Sequence, residues 1–167
     1  MIGIEQSIGI EKPAAEVFAY VDDIRNLARH MSDERSMALM GSRLHLEIVS
    51  ENATGVGAVY RYEGRVLGLR LDFTEEVVSY LPGREKTWRT LDPSRLLIVE
   101  RYVMRILVEP LSQASARLTI GFSWDEPAKV PWRWIGRVLA RPYGVWCVGK
   151  MLSGAKSDLE ARARSNH

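Results

Sequence analysis

Between residues 43 and 124 the apolar residues keep a period of two, in segments separated by turns too short to hold a crossover. From Pro131 the period becomes 3.6. Strands joined by short turns must pair antiparallel, because a parallel connection needs about a dozen residues or more. The segments are Arg43–Val49, residues 58–63, residues 66–81, Glu85–Leu91, Leu96–Val108 and Ala116–Trp124. Turn signals separate them around Asn52–Gly57, Pro82–Gly83, Asp92-Pro93-Ser94 and Pro110–Ser115. Residues 2–10 add an alternating first strand (Ile2, Ile4, Ile8, Ile10), bringing the sheet to six or seven strands.

Two short helices follow that first strand. Pro13 opens one in its first turn, where its missing N–H costs nothing. Val17, Phe18, Val21 and Ile24, continued by Leu27 and Met31, form its apolar face, and Asp22–Asp23 marks a break that can cap the second helix. The C-terminal pattern places Trp134, Val138, Val145, Val148, Leu152, Ala155 and Leu159 near one stripe of a helix ending close to Arg164. Pro142 should kink or divide that helix. A sheet with one apolar face needs a cover, and this long helix is the natural one. The expected architecture is α+β: a curved antiparallel sheet wrapped around a long C-terminal helix, with residues 1–167 forming a single domain. A chain of 167 residues buries roughly two-thirds of its unfolded surface.

Composition excludes several classes. With 46% hydrophobic and 26% charged residues the chain is globular. No stretch approaches the ~20 apolar residues that span a bilayer. The opening MIGIEQSIGIEKPAAEVF lacks a basic region followed by an apolar one, so a cytoplasmic location is expected. The lone Cys147 can make no internal disulfide and lies in an apolar helical run, which reads as packing. From residue 129 onward eight Lys/Arg face only Asp158 and Glu160, giving +6; with the whole chain at +2, residues 1–128 carry −4. A basic tail of this kind is ordinarily a solvated helix face. It also suits peripheral contact with an anionic membrane or an acidic protein. No nucleic-acid-binding module accompanies it, so nucleic acid is not an expected partner.

Local sequence resembles the START-like, or SRPBCC, superfamily of polyketide cyclases, lipid carriers and birch-pollen-allergen-like proteins. The segments that carry the resemblance are Ile10–Phe18 followed by Asp22-Asp23-Ile24, the Gly55-Val56-Gly57 lead-in to Ala58–Tyr62, and Arg117–Trp124 before the final helix. The resemblance implies a helix-grip fold with a cavity between sheet and C-terminal helix. It also implies a small hydrophobic ligand there: a lipid, a sterol or an aromatic polyketide. Some members catalyse cyclisation or dehydration. The Trp that usually follows the Asp-containing break is absent here, where Ala28-Arg29-His30-Met31 stands.

Binding or transport of such a ligand is therefore the leading expectation. A cyclase/dehydratase and a protein-interaction module acting through the basic segment are the alternatives. Tyr60, Tyr62, Phe73, Trp88, Tyr102, Phe122 and Trp124 supply aromatic surface for the concave face, and Trp134 is placed at the cavity rim. The same residues would equally serve a plain sheet–helix core. His30, at the expected cavity mouth, is the titratable candidate, although a merely satisfied or exposed histidine is the commoner case. Glu100 shares strand parity with Leu96, Ile98, Tyr102 and Met104, so inward parity would bury it as an acid; a bulge would turn Arg101 inward instead to hold an anionic head group. Both remain open at this level. His45 reads as surface and His167 as terminal. Three dispersed histidines without metal-ligand spacing argue against a metal centre, and no cofactor motif is present. The segment Pro131–Arg141 is expected to act as a gate hinged at Pro142.

Overall fold

The computed structural model describes residues 2–32, 43–66, 69–91, 99, 101–125 and 132–164. The chain begins with β1 (Ile2–Ile10) and two short helices, α1 (Ala14–Asp22) and α2 (Ile24–Ser32). Six strands follow: β2 (Arg43–Ile48), β3 (Val59–Val66), β4 (Leu69–Leu81), β5 (Glu85–Thr90), β6 (Tyr102–Pro110) and β7 (Ala116–Trp124). A 33-residue helix, α3 (Trp132–Arg164), completes the fold. All seven strands pair antiparallel in one sheet of order β1-β7-β6-β5-β4-β3-β2. The two strands earliest in sequence are thus its two edges. The α1–α2 pair carries the chain from one edge to the other, and a plain meander brings it back.

Local chemistry accounts for the punctuation. Pro13 precedes α1 as its N-cap rather than sitting in its first turn, and its carbonyl accepts from the N–H groups of Glu16 and Val17. Asp23, extended at φ −73° and ψ 106°, breaks the two helices, and its Oδ1 accepts from the Arg25 N–H at 3.0 Å. Between β4 and β5, Pro82 and Gly83 occupy the central positions of a turn closed by Arg84 N–H donating to the Leu81 carbonyl. Gly83 takes the positive φ of 76° that a type II turn demands.

Along the strands burial alternates as the period predicts. Tyr60 and Tyr62, Leu71 to Val77, Lys86 to Thr90, Tyr102 to Val108 and Leu118 to Trp124 place alternate residues inward, while His45 and Arg105 face water. The sixth strand differs from expectation. It starts at Tyr102 rather than Leu96; Leu96, Ile98 and Glu100 lie outside the described residues. Val99 and Tyr102 are both buried although three positions apart, so no simple alternation connects those two residues. Tyr102 keeps the inward parity, and Arg101 is exposed.

Helix α3 packs on β1 and β7 and touches α1 and α2. It runs in the same direction as β1: Gly144 lies over Ile4 and Phe122, Lys156 donates to the Gly9 carbonyl, and Glu160 accepts from the Glu11 N–H. This orders the interior along the strands. Towards the C-terminal end of α3 the core is aliphatic, with Ile10, Ile106, Val108, Leu118, Met151, Leu152 and Leu159 beside Val17 and Val21 of α1. Beneath the N-terminal half of α3 it is aromatic, and there the buried Glu75 is found.

Candidate functional site

A row of rings crosses the inner face of the sheet from β3 to β7. Tyr62 stacks on Phe73 with centroids 4.8 Å apart, Phe73 meets Tyr102 edge-on at 6.2 Å, and Tyr102 tilts against Phe122 at 5.4 Å. Phe122 in turn stacks on Trp124 at 5.2 Å. Antiparallel register lines these rings up: Tyr62 is opposite Phe73, Met104 opposite Phe122 and Tyr102 opposite Trp124. Offset and edge-on contacts of this kind each contribute about 0.5–1.5 kcal/mol beyond burial, so the row is a rigid wall.

Set into that wall is a carboxyl group. Glu75 follows Phe73 at inward parity on β4 and is only 2% exposed. The Tyr102 hydroxyl donates to its Oε1, while Oε2 has no hydrogen-bond partner among the described residues. Burial pushes the Glu75 carboxyl up to about 7. The Tyr102 hydrogen bond, the nearby Tyr62 hydroxyl and Trp88 N–H dipoles, and the positive charge of Lys86 hold it from rising further. Tyr62 and Tyr102 are themselves raised well above the ordinary phenol value, chiefly by burial and then by Glu75, so both are neutral donors. On α3 itself, Cys147 is pushed up to about 12 by burial, against an opposing hydrogen bond with Tyr143. A thiol in that state is packing, not a nucleophile.

A second buried charge borders the site. Lys86 on β5, 1% exposed, donates from Nζ to the Asp22 carbonyl at 2.7 Å and to Asp22 Oδ1 at 3.1 Å. The Tyr80 hydroxyl donates to the other Asp22 oxygen at 2.7 Å. Nζ also sits 5.3 Å from the Tyr60 ring centroid and 5.9 Å from that of Trp88. Burial lowers the Lys86 ammonium from its ordinary value and Asp22 opposes that shift. This cluster ties the α1–α2 break to the sheet; the expected helix cap at Asp22–Asp23 is supplied by Asp23 alone.

Of the expected site residues, Tyr62, Phe73, Tyr102, Phe122 and Trp124 form the ring row, and Trp88 stands beside Glu75. Tyr60 is buried too, but its hydroxyl donates to the Ala53 carbonyl at 2.9 Å and so holds the β2–β3 turn. Trp134, expected at the cavity rim, is 61% exposed on α3, with the Arg137 guanidinium 5.7 Å over its ring. Of His30, Glu100 and Arg101, the structure places only the Arg101 side chain. Arg101 faces solvent, Glu100 lies outside the described residues, and so does the side chain of His30 on α2. Sequence reasoning missed Glu75 and Lys86. The signal was parity, since Glu75 alternates with Phe73 and Val77, and Lys86 with Trp88. Among the described residues no three His, Cys, Asp or Glu side chains are grouped to hold a metal, and no helix is long and apolar enough to cross a membrane.

Chemically, the site sets one carboxyl oxygen, Glu75 Oε2, among the apolar faces of the ring row. Known proteins share its frame. Zhui aromatase/cyclase from Streptomyces sp. R1128 superposes with a TM-score of 0.77 at 17% identity, covering 99% of this chain and 97% of that one. TTHA0849 from Thermus thermophilus gives 0.71 at 14% identity, covering 96% and 99%. A Thalictrum flavum norcoclaurine synthase point mutant, in complex with a transition-state analogue, gives 0.64 at 17% identity, covering 97% and 96%. No curated protein matches the chain in sequence. The family model for polyketide cyclase/dehydrase and lipid transport proteins matches residues 1–160, nearly the whole length, and the chain therefore belongs to that family.

Proposed function

We propose that this protein binds a small, largely aromatic molecule carrying at least one hydroxyl or carbonyl oxygen, between the sheet and the N-terminal half of α3. The observation that carries the reading is Glu75 Oε2, a buried acceptor without a partner among the described residues, at the centre of a wall of rings. An unpaired buried carboxyl oxygen costs about 1–3 kcal/mol or more, and a ligand hydroxyl would offset that cost. Near neutral pH Glu75 exists in both forms, so it can accept from a phenol or, when protonated, donate to a carbonyl. The family to which the chain belongs, and the aromatase/cyclase with the same frame, support an aromatic polyketide-like ligand over an unadorned hydrocarbon.

The test uses two probes of similar shape, 2-naphthol and naphthalene, followed by quenching of the intrinsic tryptophan emission. The expected result is that 2-naphthol binds at least ~10-fold more tightly, and that Glu75→Leu removes the difference, as loss of one hydrogen bond to a charged partner implies. Equal binding of the two probes by the wild type, or no binding of either, would overturn the reading.

Catalysis of cyclisation or dehydration is the second reading, favoured by one observation: a carboxyl held near 7 is poised for proton transfer at neutral pH. It moves the acid–base role from His30, Glu100 and Arg101 to Glu75. Chromatography with mass spectrometry of a linear poly-β-ketone incubated with the protein separates the readings: dehydration lowers the mass by one water, aldol cyclisation alone keeps the mass but changes retention and absorbance, and simple binding leaves all three unchanged.

A further inference from the structure

Helix α3 has two apolar sides, and only one of them is covered. Gly136, Ala140, Gly144 and Val148 face the sheet. Trp134, Ile135, Val138, Leu139, Val145 and Trp146 are all exposed, Trp134 by 61% and Val138 by 68%. At 3.6 residues per turn these six fall within an arc of about 140° on the side away from the sheet. The largest side chains of this half of the helix are therefore spent on solvent, and an apolar patch of that kind marks a contact surface.

Charge says what the surface contacts. Arg141 lies exposed along one border of the arc and Lys150 along the other, while the exposed Arg137 reaches the face by laying its guanidinium over the Trp134 ring. Between Trp132 and Ser157 the sequence contains no Asp or Glu at all. A second copy of the chain is a poor fit, because a two-fold contact through this face would set the same basic borders against each other. Bulky aliphatic groups and tryptophans with basic residues on their flanks, and no anion for more than six turns, match the interface of an anionic bilayer. There the apolar arc enters the headgroup boundary and the guanidinium groups meet lipid phosphates. Trp134 and Trp146 suit that depth, with an apolar body and one N–H for the wet side.

We propose that the outward face of α3, from Trp134 to Lys150, docks this protein in the plane of an anionic lipid surface. The inference is independent of the Glu75 site, which lies on the opposite side of the helix. The chain neither spans the bilayer nor inserts deeply; it lies on it.

The test is co-sedimentation of the full chain with vesicles of phosphatidylcholine alone or mixed with phosphatidylglycerol. The mixed vesicles should bind it at least ~10-fold more strongly, and added salt should weaken that binding. Arg137→Ala with Arg141→Ala should weaken it by about 10- to 30-fold, at roughly 5-fold per basic residue. Trp134→Ser with Val138→Ser should weaken it at least as much while leaving 2-naphthol binding intact; all four positions are exposed, so the fold tolerates the changes. Equal binding to both vesicle types, no binding to either, or binding indifferent to Trp134 and Val138 would overturn the proposal. So would light scattering that finds a dimer abolished by Trp134→Ser, or a salt-resistant acidic protein partner that competes with the vesicles.

Discussion

A carboxyl group that loses its water on folding holds its proton more tightly, and that makes Glu75 a burden at alkaline pH. Its folded value of about 7 lies above the 4.5 of an exposed glutamate. Between those two values the native state carries more bound proton than the unfolded state, so stability falls as pH rises from about 4.5 to 7 and levels off beyond. The full cost of ionisation is about 3 kcal/mol. Glu75→Gln removes the titration while keeping an oxygen for the Tyr102 hydroxyl. Urea unfolding at pH 5 and pH 8 should therefore show the wild type losing about 2–3 kcal/mol more than the variant between the two; parallel losses would contradict the assignment. The alternation that turns Phe73 inward also turns Glu75 inward, so its place was legible. Its role was not, because carboxylates are almost never fully buried unless paired, and a Glu beside Glu76 reads as surface. Glu75 is a residue where general expectation fails, and such failures gather at functional sites.

Within α3, the helical period and the proline were readable, whereas the side turned to the sheet was not. The stripe expected inside mixes two faces: Val148, Leu152, Ala155 and Leu159 are buried, while Trp134, Val138 and Val145 are exposed. When apolar residues surround a helix, size decides where periodicity cannot. Gly136, Ala140 and Gly144 recur every four residues, and their small side chains let the N-terminal half of α3 come close to the sheet. At Gly144 a Cβ would stand 3.0 Å from Phe122 Cδ1 and 3.4 Å from Ile4 Cδ1. A branched side chain there must push α3 away from the ring row. Gly144→Val is expected to cost about 1–3 kcal/mol, a fall in Tm of several degrees, and to loosen the aromatic half of the interior. Gly154 provides the contrast, with nothing within 4 Å of an added Cβ. Gly154→Ala should stabilise by up to about 1 kcal/mol through helix propensity alone. Calorimetry on the pair checks both signs; a stabilised Gly144→Val would show that the close approach is not what holds this half of the helix.

Across the whole molecule, the antiparallel meander from β2 to β7 follows from turn lengths, since each strand pairs with its neighbour in sequence. The pairing of β1 with β7 has no such local signal. It matches Ile2 with Trp124 and Ile10 with Ala116, across most of the chain, and was legible only through the family resemblance. The same distinction should order folding. Hairpin contacts close short loops, whereas β1 can dock only after β7 exists, and the chain between them must be confined first. Ile106 on β6 pairs with Lys86 and Ile120 inside the meander, while Ile10 lies at the end of β1; both are fully buried. Ile106→Val and Ile10→Val should each cost about 0.5–1.5 kcal/mol at equilibrium. The kinetics should divide them. Ile106→Val is expected to slow refolding, with much of its cost present in the transition state, while Ile10→Val leaves refolding nearly unchanged and speeds unfolding. Stopped-flow chevrons of the two variants decide the matter: if Ile10→Val slows refolding as much as Ile106→Val does, β1 is docked before the barrier and the meander does not fold first.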